Sequence, residues 1–326
     1  MADRSTAPSL IGPADVAAAA DRVSGRIRPV TLAPADPGSS GTEGAHVTFA
    51  LEYLQHTGSF KARGAANLAA AHQQAGTLPE VGVAIASGGN AGLACAWAAR
   101  ATGTRATVFV PLSAPAVKVE KLRGYGADVH QVGSEYADAL AASRTFAAAS
   151  GALLSHAYDN PLIAAGAGTL AAEILAASPR KVDTIVVAVG GGGLFAGVAA
   201  AVSGTGIRTV AVEPENCRAL NAALAAAGPV DVAVESVAAD ALGARRTSQM
   251  AYELARGEHV SSVLVPDAAI VEARRHLWET YRITVEPGGA TAWAALRSGS
   301  YKPEEGEHVV AVLCGANTDP ADLVNR

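Results

Sequence analysis

Basic residues and cysteines are both scarce in this 326-residue chain. Twenty-five Lys and Arg stand against 30 Asp and Glu, so the net charge is -5 and the isoelectric point is about 5.9. A protein with this balance has no broad basic face for a phosphate backbone, and we expect no nucleic acid partner. The three cysteines, Cys95, Cys217 and Cys314, form no Cys-x-x-Cys pair. Their number and spacing suggest neither a disulfide framework nor a zinc knuckle and favour a reducing compartment.

The sequence also lacks a continuous apolar leader. Residues 1–16 include charged residues and prolines, unlike a secretory signal, and we predict a cytoplasmic protein. Two stretches without charge, 82–99 and 184–207, are about long enough to cross a bilayer. Glycines interrupt both, at 88–89 and 190–193, where a strand-like run becomes a helix-like run. We therefore predict a strand, a loop and a helix in each, and no membrane span.

Short runs rich in Val and Ile alternate with longer Ala-rich segments. The predicted strands are residues 47–54, 81–86, 106–110, 184–189, 209–212 and 308–313, and the predicted crossover helices include 91–102, 136–150 and 168–177. This alternation is typical of an α/β fold with parallel sheet. The chain is long enough for two domains. We predict a smaller domain at 76–151, inserted in a larger one made of 1–75 and 152–326.

Ligands in open α/β sheets bind beyond the carboxyl ends of the strands, and four unusual loops follow predicted strands. They are residues 55–63, 87–92, 190–194 and 314–317. The third contains Gly190, Gly191, Gly192 and Gly193, whose backbone N–H groups can approach a phosphate with no Cβ in the way. The same run satisfies a dinucleotide-binding fingerprint, with Glu213 about twenty residues on as the ribose-binding acid. The third interpretation is that the glycine run is a close packing turn between strand and helix that binds no ligand.

Two other loops offer groups for a small ligand. The loop at 87–92 places a hydroxyl, an amide and backbone donors at a helix start, which suits a small carboxylate. A simple N-cap by Ser87 or Asn90 explains the same residues. Lys61 also stands at a predicted helix start, where the helix dipole disfavours a cation. A lysine that forms an imine is neutral and avoids this penalty, whereas a solvated surface lysine is the alternative.

Together these segments resemble the fold-type II pyridoxal-phosphate enzymes, and within them the serine and threonine dehydratases, or ammonia-lyases. Residues 54–65, Leu-Gln-His-Thr-Gly-Ser-Phe-Lys-Ala-Arg-Gly-Ala, are similar to the family's L-Q-x-T-G-S-F-K-x-R-G-A. Residues 87–94 resemble its substrate loop, and residues 159–173 resemble its D-x-P-x-x-x-x-G-Q-G-T-x-x-x-E, except that Ala167 replaces Gln. Residues 285–287 and 314–317 match its C-terminal segments. The resemblance therefore covers most of the chain.

The resemblance implies a tryptophan synthase β-like fold: two lobes, each with a mainly parallel twisted sheet flanked by helices, the small one mobile and carrying the substrate loop. It also implies pyridoxal 5′-phosphate as the cofactor, held by Lys61 as a Schiff base. The other implied cofactor-binding residues are Phe60, Asn90, Gly190, Gly191, Gly192, Gly193, Leu194, Glu286 and Cys314. The implied substrate-binding residues are Ser59, Ser87, Gly88, Gly89, Asn90 and Ala91.

The implied reaction is an α,β-elimination in which Lys61 removes the Cα proton and the β-hydroxyl leaves. L-Serine would give pyruvate and L-threonine 2-oxobutyrate, each with ammonia. Related serine racemases carry a serine where this chain has Gly88, and racemisation needs a second acid or base there, so we expect a poor racemase. Cys314 is expected to face the pyridine nitrogen, where a thiol is a weak donor. Without the resemblance, a small buried hydrophobe is the simpler interpretation of Cys314.

The substrate and the accessory ligands are less constrained. Residues 240–244 resemble the family's substrate-facing stretch, and Arg245 and Arg246 follow them. They could serve a bulkier or anionic side chain, so a dehydratase or racemase for another β-hydroxy amino acid, such as 3-hydroxyaspartate, is the alternative to an enzyme for serine or threonine. The other interpretation of the two arginines is a solvated surface position. Glu213, with the backbone carbonyl of Cys217, resembles the start of the family's cation site. Ala219 offers no side-chain oxygen there, so a monovalent cation fits better than a divalent one.

Three classes of function therefore stay open: a pyridoxal-phosphate lyase acting on a small amino acid, an NAD-dependent oxidoreductase, and a non-catalytic relative. The intact Lys61 and Asn90 argue against the last. The family also leads us to expect a homodimer. The chain ends at Arg326, soon after Cys314, and we expect no C-terminal regulatory domain.

Overall fold

A computed structural model describes residues 10–39, 41 and 44–324 of the chain. The larger of its two sheets has six strands. In spatial order they are β1 (Leu32–Pro34), β2 (His46–Ala50), β10 (His308–Val312), β7 (Thr184–Ala188), β8 (Arg208–Pro214) and β9 (Val260–Val265). Among these described strands, only the pairing of β1 with β2 is antiparallel. The carboxyl ends of the five parallel strands therefore lie at one edge.

The second sheet has four parallel strands. In spatial order they are β5 (Asp128–Gln131), β4 (Ala106–Val110), β3 (Val83–Ala86) and β6 (Leu153–Leu154). Strand β6 pairs with β3, with Leu153 opposite Val83. This sheet therefore includes two residues that follow the predicted small domain at 76–151.

Helices flank both sheets, which confirms the predicted α/β architecture. They are α1 (Pro13–Val23), α2 (Lys61–Gln74), α3 (Asn90–Ala101), α4 (Ala116–Gly124), α5 (Tyr136–Ser150), α6 (Pro161–Ala177), α7 (Gly193–Ala201), α8 (Ala219–Ala225), α9 (Ala239–Leu242), α10 (Gln249–Ala255), α11 (Asp267–Tyr281), α12 (Pro287–Ser298) and α13 (Ala321–Val324). Short 3-10 helices occupy Glu52–Leu54 and His56–Gly58. Among the described residues, none of the helices has the length and apolarity needed to cross a bilayer.

Local sequence accounts for most of these boundaries. Residues 106–110 and 136–150 form the strand and helix predicted for them. Helix α6 begins before the predicted residue 168 because the Asn160 side chain accepts the N–H groups of residues 162 and 163. The strand predicted at 47–54 ends at Ala50, and a 3-10 turn follows. Four strands, β1, β5, β6 and β9, were not predicted, since they are short or carry polar residues.

Candidate active site

Lys61 is placed by two loops that follow adjacent strands. After β2 the chain reverses through Thr57 and Gly58, which have φ angles of 62° and 77°, and enters α2 at Lys61. Residues 58–60 run beside the loop after β10. Phe60 N–H donates to the Cys314 carbonyl (3.0 Å), and Ala316 N–H donates to the Gly58 carbonyl (2.9 Å). This pairing fixes Lys61 close to Cys314.

The Lys61 side chain faces a small cavity shared with the tetraglycine loop. The cavity is lined by Phe60, Lys61, Tyr158, Ala188, Gly190, Gly191, Gly192, Gly193, Leu194, Ala241, Leu242 and Cys314. Lys61 Nζ donates a 2.7 Å hydrogen bond to the Ala157 carbonyl. Burial lowers the pKa of Lys61 to about 8, against the opposing influence of Cys314 and Glu286. A substantial fraction of this amine is therefore neutral near physiological pH.

The tetraglycine loop presents backbone donors to this cavity. Gly192 has a φ of 97° and precedes α7. A Cβ at Gly191 would collide with the Tyr158 ring, and one at Gly190 would lie 2.9 Å from Leu242 Cα. The N–H groups of residues 190–192 donate no hydrogen bond to any other described residue. Free N–H groups at a helix start form an anion-binding site.

The loop at residues 87–92 meets the C-terminal segment through hydrogen bonds. Asn90 Nδ2 donates to Glu286 Oε1 (2.7 Å), and Asn317 Nδ2 donates to Asn90 Oδ1 (2.7 Å). Burial raises the pKa of Glu286, although the hydrogen bonds from Asn90 and from the backbone of Asn317 act in the opposite direction. Ser87, Gly88 and Gly89 form the loop before α3. Ala91 is the second residue of α3. The Ser87 hydroxyl accepts the Gly89 N–H (3.4 Å).

Two further predicted residues are buried beside Lys61. Ser59 is fully buried, forms an isolated bridge with Gly315, and its hydroxyl has no hydrogen-bond partner among the described residues. Cys314 is a free thiol, and its Sγ lies 3.7 Å from the Gly288 carbonyl. Burial raises the pKa of Cys314 to about 12. The thiol is therefore neutral at physiological pH.

Glu213 lies at the end of β8 and faces α8. It is fully buried, and its two carboxylate oxygens accept the N–H groups of Leu220 and Asn221, both at 2.7 Å. Burial raises the pKa of Glu213 to about 7. Because the Glu213 carboxylate is buried and bound to backbone N–H groups, it cannot bind the hydroxyl groups of a ribose. The dinucleotide interpretation therefore lacks the acidic residue that it requires. Cys217, the other predicted cation ligand, is buried in the turn after β8, where its N–H donates to the Pro214 carbonyl.

Arg246 does not line the cavity. Its Nε pairs with Asp231 (2.7 Å), and its Nη1 donates to the Pro229 carbonyl (2.9 Å). Arg245 is exposed. These observations favour the interpretation that the two arginines are solvated surface residues.

Sequence reasoning missed the roles of Ala157, Tyr158 and Asn317. The Ala157 carbonyl accepts a hydrogen bond from the Lys61 amine, and the Tyr158 ring covers the tetraglycine loop. They follow β6, whose two residues, Leu153 and Leu154, are too few to be recognised as a strand. An aromatic residue at the carboxyl end of a parallel strand was the available signal.

Comparisons with known proteins agree with this geometry. A family model described as "Pyridoxal-phosphate dependent enzyme" matches residues 23–315. The biosynthetic L-threonine dehydratase of Mycobacterium tuberculosis is 34% identical over 313 residues, covering 94% of this chain and 72% of the relative. The structure of maize serine racemase superposes with a TM-score of 0.88 at 28% identity, covering 97% of this chain and 96% of the other. The structure of a threonine deaminase from T.th. superposes with a TM-score of 0.85 at 30% identity, covering 94% and 99%.

Proposed function

Because the chain belongs to the family of pyridoxal-phosphate dependent enzymes, we propose that it is an ammonia-lyase that converts L-serine or L-threonine to pyruvate or 2-oxobutyrate. The observation that carries the proposal is the single cavity shared by the Lys61 side chain and the tetraglycine loop. Similarity to a threonine dehydratase over most of the chain supports the lyase assignment.

The residues of the cavity fit pyridoxal 5′-phosphate. Lys61 would hold its aldehyde carbon, and the N–H groups of Gly190–Leu194 would hold its phosphate. Phe60, Asn90, Glu286 and Cys314 would surround the ring. When bound, the cofactor supplies an electron sink that acidifies the substrate Cα–H bond.

The protein's own groups explain why elimination is favoured. The Lys61 amine, with its lowered pKa, can take a proton from Cα near neutral pH. Ser59, Ser87, Gly88, Gly89, Asn90 and Ala91 would bind the substrate, the loop residues by their N–H groups and polar side chains at the start of α3. Gly88 carries no proton donor for the opposite face of Cα. Cys314 is a neutral thiol and gives the ring nitrogen only a weak donor.

The narrower substrate alternative, 3-hydroxyaspartate for a dehydratase or racemase, depends on a basic residue near the cavity. Arg246 is already paired with Asp231, which supports the smaller, uncharged side chains of serine and threonine. An NAD-dependent oxidoreductase has no support from the buried carboxylate of Glu213.

The proposal includes four finer elements. A monovalent cation would bind beside Glu213 and the carbonyl of Cys217, where a buried carboxylate has no basic side chain hydrogen-bonded to it among the described residues. A cytoplasmic location is supported by three buried cysteines that are all free thiols. A mobile small domain around residues 76–151 and a homodimer rest on family membership. The Tm with and without K⁺, compared between the parent protein and Glu213→Gln, tests the cation site. The mass in solution, measured by sedimentation, tests the homodimer.

The decisive experiment is an absorbance spectrum of the purified protein with L-serine, L-threonine or 3-hydroxyaspartate, with the 2-oxo acid and ammonia assayed in parallel. A violet-region cofactor band together with 2-oxo acid from serine or threonine is the expected result. Absence of the band after addition of pyridoxal phosphate would overturn the role of Lys61. A band with turnover of 3-hydroxyaspartate alone would overturn the substrate assignment.

A further inference from the structure

Asn317 connects two loops of the candidate active site through one amide group. Its Nδ2 donates to the Thr57 carbonyl (2.7 Å) and to Asn90 Oδ1 (2.7 Å). Its backbone N–H donates to Glu286 Oε2 (3.1 Å). An amide NH₂ carries two hydrogens, so each loop takes one of them. Thr57 belongs to the loop that leads to Lys61, whereas Asn90 begins α3 beside the second sheet.

The contact with Thr57 lies at a strained point of the backbone. Thr57 has a φ of 62°, a region that a β-branched residue adopts only when its surroundings impose it. Its hydroxyl has no hydrogen-bond partner among the described residues, so its own side chain does not stabilise this turn. The Asn317 amide also packs against Gly58, where a Cβ would approach Asn317 Oδ1 to 3.3 Å.

The contact with Asn90 fixes the orientation of that side chain. With Oδ1 accepting from Asn317 and Nδ2 donating to Glu286, the two ends of the Asn90 amide are distinguished. If the Asn90 amide were rotated by about 180°, two donors would face each other at Asn317 and two acceptors would face each other at Glu286. Both hydrogen bonds of the Asn90 side chain would then be lost.

We infer that Asn317 is a positioning residue for the proposed reaction: one hydrogen of its amide holds the Thr57 turn that presents Lys61, and the other orients Asn90. The inference rests on the proposed function for its substrate readout. It adds a role for a residue that touches neither the Lys61 amine nor the tetraglycine loop. The two roles are separable, because they use different hydrogens and different acceptors.

The test compares Asn317→Ala with the parent enzyme by two constants. One is the Kd for pyridoxal phosphate, from quenching of intrinsic fluorescence in the cofactor-free protein, and the other is the KM for L-threonine. Loss of one hydrogen bond of this kind is expected to raise each constant about tenfold. Asn67→Ala is the matched control, since it also removes a buried amide that donates to a backbone carbonyl, that of Leu162, away from the cavity. It should lower the Tm and leave both constants within about twofold of the parent.

Thr57→Gly separates the two roles. Glycine adopts a φ of 62° without strain, so the double variant Asn317→Ala/Thr57→Gly should bind pyridoxal phosphate with a lower Kd than Asn317→Ala does. The double variant should not reach the parent Kd, because Asn90 would also contact the cofactor ring. Its KM should stay raised, because Asn90 Oδ1 still lacks its donor. A Kd as high as that of Asn317→Ala would overturn the role at Thr57, and a KM that recovers would overturn the role at Asn90.

Asn317→Ser keeps the test decisive if the alanine variant does not fold. A serine hydroxyl has one hydrogen, so at most one of the two constants can stay at the parent value. Both constants unchanged in a folded variant would overturn the inference. Should the parent enzyme bind pyridoxal phosphate and release no 2-oxo acid, the proposed function fails. The Kd and the Thr57→Gly recovery then still decide the role at Thr57, and the Kd for L-threonine replaces KM for the role at Asn90.

Discussion

The Nζ atom of Lys61 donates a 2.7 Å hydrogen bond to the carbonyl oxygen of Ala157. Lys61 begins α2, beside the larger sheet, and Ala157 follows β6 of the smaller sheet. The Lys61 amine is therefore held between the two sheets, in a site whose burial disfavours its charged form. The neutral amine is the form that attacks an aldehyde and accepts a proton.

Capture of pyridoxal phosphate by the cofactor-free protein should therefore depend on pH with a midpoint of about 8. The pKa of Lys61 is lowered, so the neutral fraction rises as pH increases through 8 and levels off above it, whereas an ordinary lysine would need a pH near 10.5. Stopped-flow absorbance between about pH 6 and 11, on either side of both values, with rates corrected for ionisation of free cofactor, measures this midpoint. Lys61→Ala should lack the phase altogether, and a midpoint at the ordinary lysine value would contradict the burial argument.

Gly88→Ser should add racemase activity to the lyase. A Cβ at Gly88 meets only Val110 Cγ1 among the described residues, at 3.3 Å, so a serine fits with a small adjustment. Its hydroxyl would supply the second acid or base, worth on the order of 10²-fold in the racemisation rate. Chiral chromatography of serine after incubation measures the D-enantiomer. Gly89→Ser is the control, because that position is open but lies one residue further along; equal gains in both variants would argue against a defined role for position 88.

The sequence predicts those parts of the candidate site that short motifs define. The glycines at 190–193 form one contiguous run, in which Gly192 has a positive φ and a Cβ at Gly191 would collide with the Tyr158 ring. The run itself is visible in the sequence, although the contact with Tyr158 is not. The partners of Asn90 are different in kind. Glu286 and Asn317 lie 196 and 227 residues away in the chain, and their contacts depend on how the two sheets face each other. No local pattern encodes that arrangement.

The ion pair between Lys118 and Asp240 should help to close the site. Lys118 lies on α4 and Asp240 on α9, and their charged atoms are 2.5 Å apart. The next two residues after Asp240, Ala241 and Leu242, line the cavity. Lys118→Glu and Asp240→Lys should each raise the KM for the amino acid by about two- to fivefold, the range of an exposed ion pair. The change should be modest because both side chains are partly solvated.

The double variant Lys118→Glu/Asp240→Lys is the control for this ion pair. It restores opposite charges in reversed order and should bring KM back towards the parent value. Added NaCl should raise the KM of the parent and of the double variant but not that of the single variants, since salt screens an attraction that only the former possess. No recovery in the double variant would show that the two charges act independently.

Arg63 should contribute strongly to the free energy of unfolding. It is fully buried, and its guanidinium pairs with Glu52 (2.6 Å) and Glu173 (2.7 Å) and donates to the Thr169 hydroxyl (3.1 Å). Arg63→Met would leave two carboxylates facing each other without a cation, and we expect a loss of about 3–5 kcal/mol in the free energy of unfolding. Arg246→Met, which breaks an exposed pair with Asp231, should have a much smaller effect, as surface ion pairs generally do.

Neutralising the whole cluster separates charge from packing. In Arg63→Met/Glu52→Gln/Glu173→Gln no buried charge is left unpaired, so much of the stability lost in Arg63→Met should return. Guanidinium unfolding, followed by circular dichroism in the cofactor-free proteins, gives the free energies for all four proteins. If the triple variant were less stable than Arg63→Met, hydrogen bonds such as that from the Val30 N–H to Glu173 would outweigh the charge balance, and the cluster would act mainly as a hydrogen-bond network.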